Sequence, residues 1–261
     1  MSPQPARTIA RLTAWPRIVF HLVRYSADRE RNLSSAFDAD DCTRHLRASD
    51  ESMRRILEDP ASRDFVERRF LDLEIDLERF RALPAGTLGR SFADFVEGGA
   101  FDPDLTRPDR LSPSCDKTYV LYRMRQCHDI WHVVTGFDAS HEGEVGLQGF
   151  SLSQVHSPMS AIALAATTID MLLGPYTTSS IRGTMSALAV GWELGQRARP
   201  LFGVDWDARC ALRFTEEGSR EMAQPAWRSC SEVLALLRSD EGGAAAGSVY
   251  AAALECLWSG V

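Results

Sequence analysis

Apolar positions recur along this chain at intervals of three and four residues, the stripe that a helix buries against a core. On that pattern helices are predicted over residues 7–25, 40–58, 61–82, 87–97, 115–135, 145–156, 158–173, 178–199 and 219–238, with a weaker one over 245–258. Strict alternation never persists beyond a few residues, so no strand is expected. Pro16 falls inside the first helix and should kink it. Asp59-Pro60 and Leu83-Pro84-Ala85-Gly86 separate helices, and residues 98–114, with three prolines, read as a long loop. The expected fold is all-α, a single multi-helix domain of about ten helices. Within it, residues 1–27 form a basic amphipathic N-terminal helix. Residues 216–261 form a C-terminal helical extension, within which the flexible-looking run Glu241 to Gly247 connects to a short last helix.

One predicted helix departs from the amphipathic pattern. Residues 115–135 carry Val120, Tyr122, Met124, Cys127, Ile130, Trp131, Val133 and Val134 around most of the circumference. A helix apolar nearly all round is a buried helix. Its polar residues share one arc: with His128 at zero, Arg125 falls at about 60°, His132 at about 40° and Asp129 at about 100°. Buried charge without a partner is costly, so this arc must face a satisfied internal site. Residues four apart have Cβ atoms roughly 5–6 Å apart, so both imidazoles can reach one ion. Gly136 stops the helix, and a loop from Phe137 to Gly143 is expected to return Glu144 to the pair. His128, Asp129, His132 and Glu144 are thus candidate ligands of one divalent ion, in an open nitrogen-and-oxygen site that suits zinc, iron, manganese or cobalt. Arg125, four residues before Asp129, is the candidate to orient that carboxylate. Two histidines four apart also occur by chance on many helices, so the spacing alone does not decide the matter.

The formal net charge of −7 argues against general nucleic-acid binding, which needs a basic footprint. The six cysteines lack paired-ligand spacing and read as reduced thiols of a cytoplasmic-type compartment. No run approaches the roughly 20 apolar residues of a membrane span; the nearest, Pro158 to Leu173, is interrupted by Thr167, Thr168 and Asp170. The first 27 residues hold four arginines and no acid, with Ile9, Leu12, Trp15, Ile18, Val19, Phe20, Leu22 and Val23 among them. That composition fits either an ordinary first helix or one lying on a membrane surface.

The segment HDIWHVVTGFDASHEGE, with LPAGTLGRSFADFV and YRMRQCHDIWHVVTG ahead of it and GEVGLQGFSLSQ and GWELGQRARPLFGVDWDARC behind, resembles the ubiquinone (coenzyme Q) biosynthesis protein 4 family over about residues 40–215. The resemblance implies an all-helical fold and a divalent metal, zinc first, held by His128, Asp129, His132 and Glu144. It implies oxidative decarboxylation of a prenylated hydroxybenzoate-like ring, the carboxyl being exchanged for a hydroxyl at ring carbon one. It also implies a prenylated aromatic or isoprenoid lipid as partner, other quinone-biosynthesis proteins, a homodimer, and peripheral attachment to the inner membrane (on the matrix side in a mitochondrion). There are departures. Ser151 follows Phe150 where the family often has an acidic residue, the chain continues past the closing segment, and the long leader of mitochondrial members is missing. These departures suggest a bacterial-type homologue.

Two other readings stay open at this level. In one, the protein is a non-catalytic scaffold whose helix 158–173, with Met159, Ala163, Ala166 and Ile169, lines a cavity for an isoprenoid tail. In the other, His128-Asp129 belongs to a phosphohydrolase with His45 and Asp170, which leaves His132 and Glu144 without a role.

Overall fold

The computed structural model describes residues 4–27, 33–71, 76–98 and 113–211. Eleven helices run through them: α1 (Gln4–Ala27), α2 (Leu33–Thr43), α3 (Arg47–Glu58), α4 (Pro60–Arg68), α5 (Leu77–Arg81), α6 (Leu88–Gly98), α7 (Asp116–Thr135), α8 (His141–Val155), α9 (Pro158–Leu173), α10 (Thr178–Arg197) and α11 (Trp206–Cys210). No strand occurs among the described residues, and the all-α expectation holds. The helices predicted over 219–238 and 245–258 lie outside the described residues.

Several boundaries differ from the periodicity, each for a local reason. The stretch 40–58 is two helices, because the chain turns at Arg44 to Leu46, where the Leu46 amide donates to the Thr43 carbonyl at 2.7 Å. The stretch 61–82 is also two, since Arg69 takes a left-handed conformation with φ 48° that ends α4. The helix after the motif begins at His141 rather than 145, capped by Ser140, whose hydroxyl accepts from the Gly143 amide at 3.1 Å. That is a correction with consequences, for it moves Glu144 from a loop into the first turn of a helix. The five-residue α11 was not foreseen.

Helix α7 is the axis of the packing. Cys127, Ile130, Trp131 and Val134 meet Phe80, Phe92, Val96, Leu147, Phe150, Val190, Leu194 and Trp206 in the main core. On its other side Tyr119 and Val120 join Ile56, Phe65, Val66, Val155 and Phe202. Arg123, fully buried, satisfies itself by donating to the carbonyls of Phe202 at 3.3 Å and Val204 at 2.5 Å and to Gln126 Oε1 at 3.0 Å. It thereby ties the segment after α10 to α7. A third, smaller cluster joins Ala14 and Ile18 of α1 to Ala39 and Cys42 of α2 and Ile162 of α9.

Helices α8 and α10 pack backbone against backbone. A Cβ at Gly191 would lie 1.8 Å from the Gly146 carbonyl oxygen, far inside van der Waals contact. Gly191→Ala is therefore expected to push the helices apart and cost about 1–3 kcal/mol or more, as overpacking does. Thermal melts followed by circular dichroism check this; an unchanged midpoint would contradict it.

Candidate metal centre

Glycine and a cap set the turn that assembles the site. Gly136 ends α7 in the left-handed region at φ 77°, its amide closing on the His132 carbonyl. Asp138 then accepts from the Ser140 hydroxyl at 2.5 Å, and α8 starts at His141. Gly143 is forced by close approach, since a Cβ there would stand 2.0 Å from the Asp138 carbonyl oxygen. The result points the first turn of α8 at the polar arc of α7.

Three of the expected ligands converge. His128 Nε2 lies 3.4 Å from Glu144 Oε2, and His132 Nε2 lies 3.2 Å from Glu144 Oε1. One ligand atom from each of the three falls within 4.8 Å of the others. The imidazoles stand edge to face, centroids 4.9 Å apart at 87°. His132 is closed off on its far side by Phe95 of α6, stacked at 5.3 Å and 24°. Its side chain is fully buried, while those of His128 and Glu144 keep 26% and 37% of their surface. The cluster is sealed toward the core and open toward His128 and Glu144.

Its chemistry fits a cation. His132 Nδ1 lies 3.1 Å from the Phe137 carbonyl oxygen. A carbonyl only accepts, so Nδ1 carries the hydrogen, and in the neutral ring the Nε2 lone pair faces a carboxylate. That buried Nε2 has no hydrogen-bond partner. Two electron-rich groups face to face need a proton or a metal ion between them. A ligating imidazole fixed by a hydrogen bond from its other nitrogen is the usual supporting arrangement for a metal-bound histidine. Burial discourages charge on His128, but the Glu144 carboxylate beside it, aided by Asp129, outweighs burial and pushes the imidazole up to about 9. Burial likewise raises Glu144, yet the charge and hydrogen bond of His128 hold its carboxyl well below the usual range. The site is thus built around a negative carboxylate that demands positive charge.

The other two expected site residues are not among the three side chains that converge. Asp129 is buried, 1% exposed, next to the trio but outside the three converging side chains. Arg125 reaches toward α2. Its Nη2 donates to Asp40 Oδ2 at 2.9 Å, Asp41 Oδ1 at 2.7 Å and the Phe37 carbonyl at 3.2 Å, and its guanidinium lies over the Phe37 ring. The same arc that presents the histidines to α8 presents Arg125, one turn earlier, to α2. Glu142 lies by Gly183 of α10, and His45, in the turn between α2 and α3, is exposed, so neither joins the trio. Phe95 and the Phe137 carbonyl were not foreseen. A ring on the preceding described helix, 37 residues before His132, and a backbone acceptor carry no local signature; Ser140 followed by two acids within one turn is the signal that could have placed the start of α8.

The chain matches the family described as coenzyme Q (ubiquinone) biosynthesis protein Coq4 over residues 40–216. It is 28% identical over 154 residues, 58% of this chain and 41% of the relative, to the mitochondrial ubiquinone biosynthesis protein COQ4 of Lodderomyces elongisporus. It is 27% identical over 156 residues, 59% of this chain and 49% of the relative, to the protein of that name from Meyerozyma guilliermondii. The matched segment thus spans about half of the length of these relatives, which are mitochondrial fungal proteins rather than bacterial ones. A crystal structure from Nostoc punctiforme superposes with a TM-score of 0.69 at 23% identity, covering 80% of this chain and 98% of that one, which shows a shared fold. With the family profile covering the whole of the site and most of the described helices, the chain belongs to the coenzyme Q (ubiquinone) biosynthesis protein Coq4 family.

Proposed function

We propose that this protein is a metal-dependent enzyme that exchanges the carboxyl group of a prenylated hydroxybenzoate-like ring for a hydroxyl. The observation that carries the reading is the His128–His132–Glu144 cluster, closed on the core side and open on the other. A divalent ion held by these three side chains would supply Lewis acidity toward a substrate carboxylate or phenolate. Zinc is the first expectation from the family, and the nitrogen-and-oxygen donor set also suits iron, manganese or cobalt. His132, locked by the Phe137 carbonyl, keeps one imidazole lone pair aimed into the site. Phe95 and the surrounding core exclude water from its buried side. Glu144 supplies negative charge that keeps a cation in place, and its open flank leaves room for a ring. The net change releases carbon dioxide, adds one oxygen atom from water to the ring carbon and removes two electrons and two protons, which an external oxidant, dioxygen, takes up to give hydrogen peroxide.

Metal-loaded protein given a prenylated para-hydroxybenzoate and dioxygen should release carbon dioxide and form a product lighter by the mass of CO. Protein that co-purifies with an isoprenoid yet releases no carbon dioxide with zinc, iron, manganese or cobalt would contradict the enzyme reading and favour a scaffold.

Peripheral attachment to a membrane belongs to the same proposal, and α1 supports it. Ala14 and Ile18 turn inward, while Trp15, Val19, Phe20 and Val23 stay 54–60% exposed on a helix without an acidic residue. An exposed apolar stripe beside arginines suits an anionic lipid surface. No helix among the described residues is long and apolar enough to cross a membrane. Sedimentation with phosphatidylglycerol-containing vesicles should retain the wild-type protein and lose most of a Trp15→Ser, Phe20→Ser variant. Equal retention of the two would contradict a role for α1.

A further inference from the structure

Of the three converging side chains only that of His132 is wholly buried, so protein contacts alone decide where its ring points. One edge of the ring is fixed by the 3.1 Å contact between Nδ1 and the Phe137 carbonyl. That carbonyl is itself held in place. The Phe137 ring lies in the main core against Gly146 of α8, where a Cβ would come within 2.3 Å of its Cε1 atom. A single hydrogen bond nevertheless fixes a direction and not a plane, because the ring can still roll about it. Such a roll would swing Nε2 away from Glu144 Oε1, which it meets at 3.2 Å.

The plane has its own support. The Phe95 ring lies 5.3 Å from that of His132, centroid to centroid, and 24° from parallel. His128 stands at 87° to His132, so it gives no flat support. Phe95 is carried on α6, which Leu88, Phe92 and Val96 anchor in the main core, and its own ring is half-buried. An aromatic ring there does more than fill space. The face of a phenyl ring is electron-rich. A cation bound at Nε2 draws electron density out of the imidazole, and a positive group within about 6 Å of a phenyl centroid is attracted to its face. The stack is therefore stronger with a cation in the site than without one.

We propose that Phe95 is a positioning residue of the metal centre, its ring holding the plane of His132 so that Nε2 meets the ion. This rests on the metal centre proposed above and is independent of the reaction assigned to it. Leucine at this position would keep the apolar filling and lose both the flat support and the electron-rich face.

Zinc affinity, by competition with a chromophoric chelator, and the absorption spectrum of the cobalt(II)-loaded protein test this on the full chain. Phe95→Leu should bind zinc about 10–100-fold more weakly, the cost of losing a residue that supports a metal ligand. Its cobalt(II) bands should shift as well. Phe95→Tyr keeps the ring and should stay close to the wild type in both readouts. Thermal melts of the metal-free proteins separate this from folding. A residue that only filled the core would lower the midpoint and leave the affinity of the folded protein unchanged. Wild-type affinity and spectrum in folded Phe95→Leu, or an equal loss in Phe95→Tyr, would overturn the assignment and leave the metal centre standing. A wild-type protein that binds neither zinc nor cobalt(II) would overturn the centre and the assignment with it.

Discussion

Replacing His132 with alanine is expected to remove bound metal and turnover together. Its ring is buried, stacked on Phe95 and oriented by the Phe137 carbonyl, so its Nε2 has one direction to face and meets Glu144 at 3.2 Å. Losing only a hydrogen-bond partner of a ligand typically costs roughly 10–100-fold in metal affinity or activity. Loss of the ligand itself should exceed that. The variant should still fold, because the core of α7 is carried by Cys127, Ile130, Trp131 and Val134. A companion effect follows from charge. In the metal-free protein His128 is raised to about 9 by Glu144, so below that pH a proton occupies the ring that the ion needs. Metal binding should then strengthen by about tenfold per pH unit for each proton displaced, levelling off near pH 9. Competition with a chromophoric chelator across that range measures it, and a flat dependence would contradict the ligand assignment. Full activity in His132→Ala would remove the site from the mechanism.

The second large effect is on stability. Arg125→Ala should cost about 3–5 kcal/mol at neutral pH, the penalty for breaking a buried ion pair and leaving one charge behind. The charge left behind is on Asp40, whose side chain is 3% exposed. Burial pushes Asp40 from its ordinary 3.8 up to about 6 even with Arg125 beside it. Because the folded state holds that proton more tightly than the unfolded chain, its contribution to stability is full below pH 3.8. It is lost as pH rises through about 6. Without Arg125 the carboxyl moves higher still, so the deficit of the variant should be largest at pH 8 and shrink toward pH 5. Denaturant unfolding of both proteins at the two pH values tests this. An equal deficit at both would contradict it, and Asp40→Asn in the variant background should recover part of the loss.

These two residues also show what a reading of residues alone reaches. The spacing of His128 and His132 on an apolar helix was enough to place both on a buried face, because three- and four-residue periodicity is a local property of the chain. Glu144 was legible through its distance from the pair, but its setting was misread even though Ser140 ahead of two acids marks a helix start. It was expected on a loop, and the Ser140 cap and the close approach at Gly143 put it on the first turn of α8. Arg125 shares the histidines' arc, and that arc was taken to face one site. In the structure α2 covers its N-terminal part and α8 its C-terminal part, a division set by tertiary packing that no periodicity encodes. The same limit explains Phe95, supplied to the site by the described helix before α7. Helix splits at Arg44 to Leu46 and at Arg69 were missed because a polar residue in a turn and one on an exposed helix face look alike in sequence.

His128, His132 and Glu144 are proposed to hold one divalent ion. Elemental analysis of the wild-type protein after metal-supplemented expression, beside His128→Ala and Glu144→Ala, tests it directly. One ion per chain is expected in the wild type and background levels in both variants. A wild-type protein without metal, with all three proteins equally stable, would contradict it.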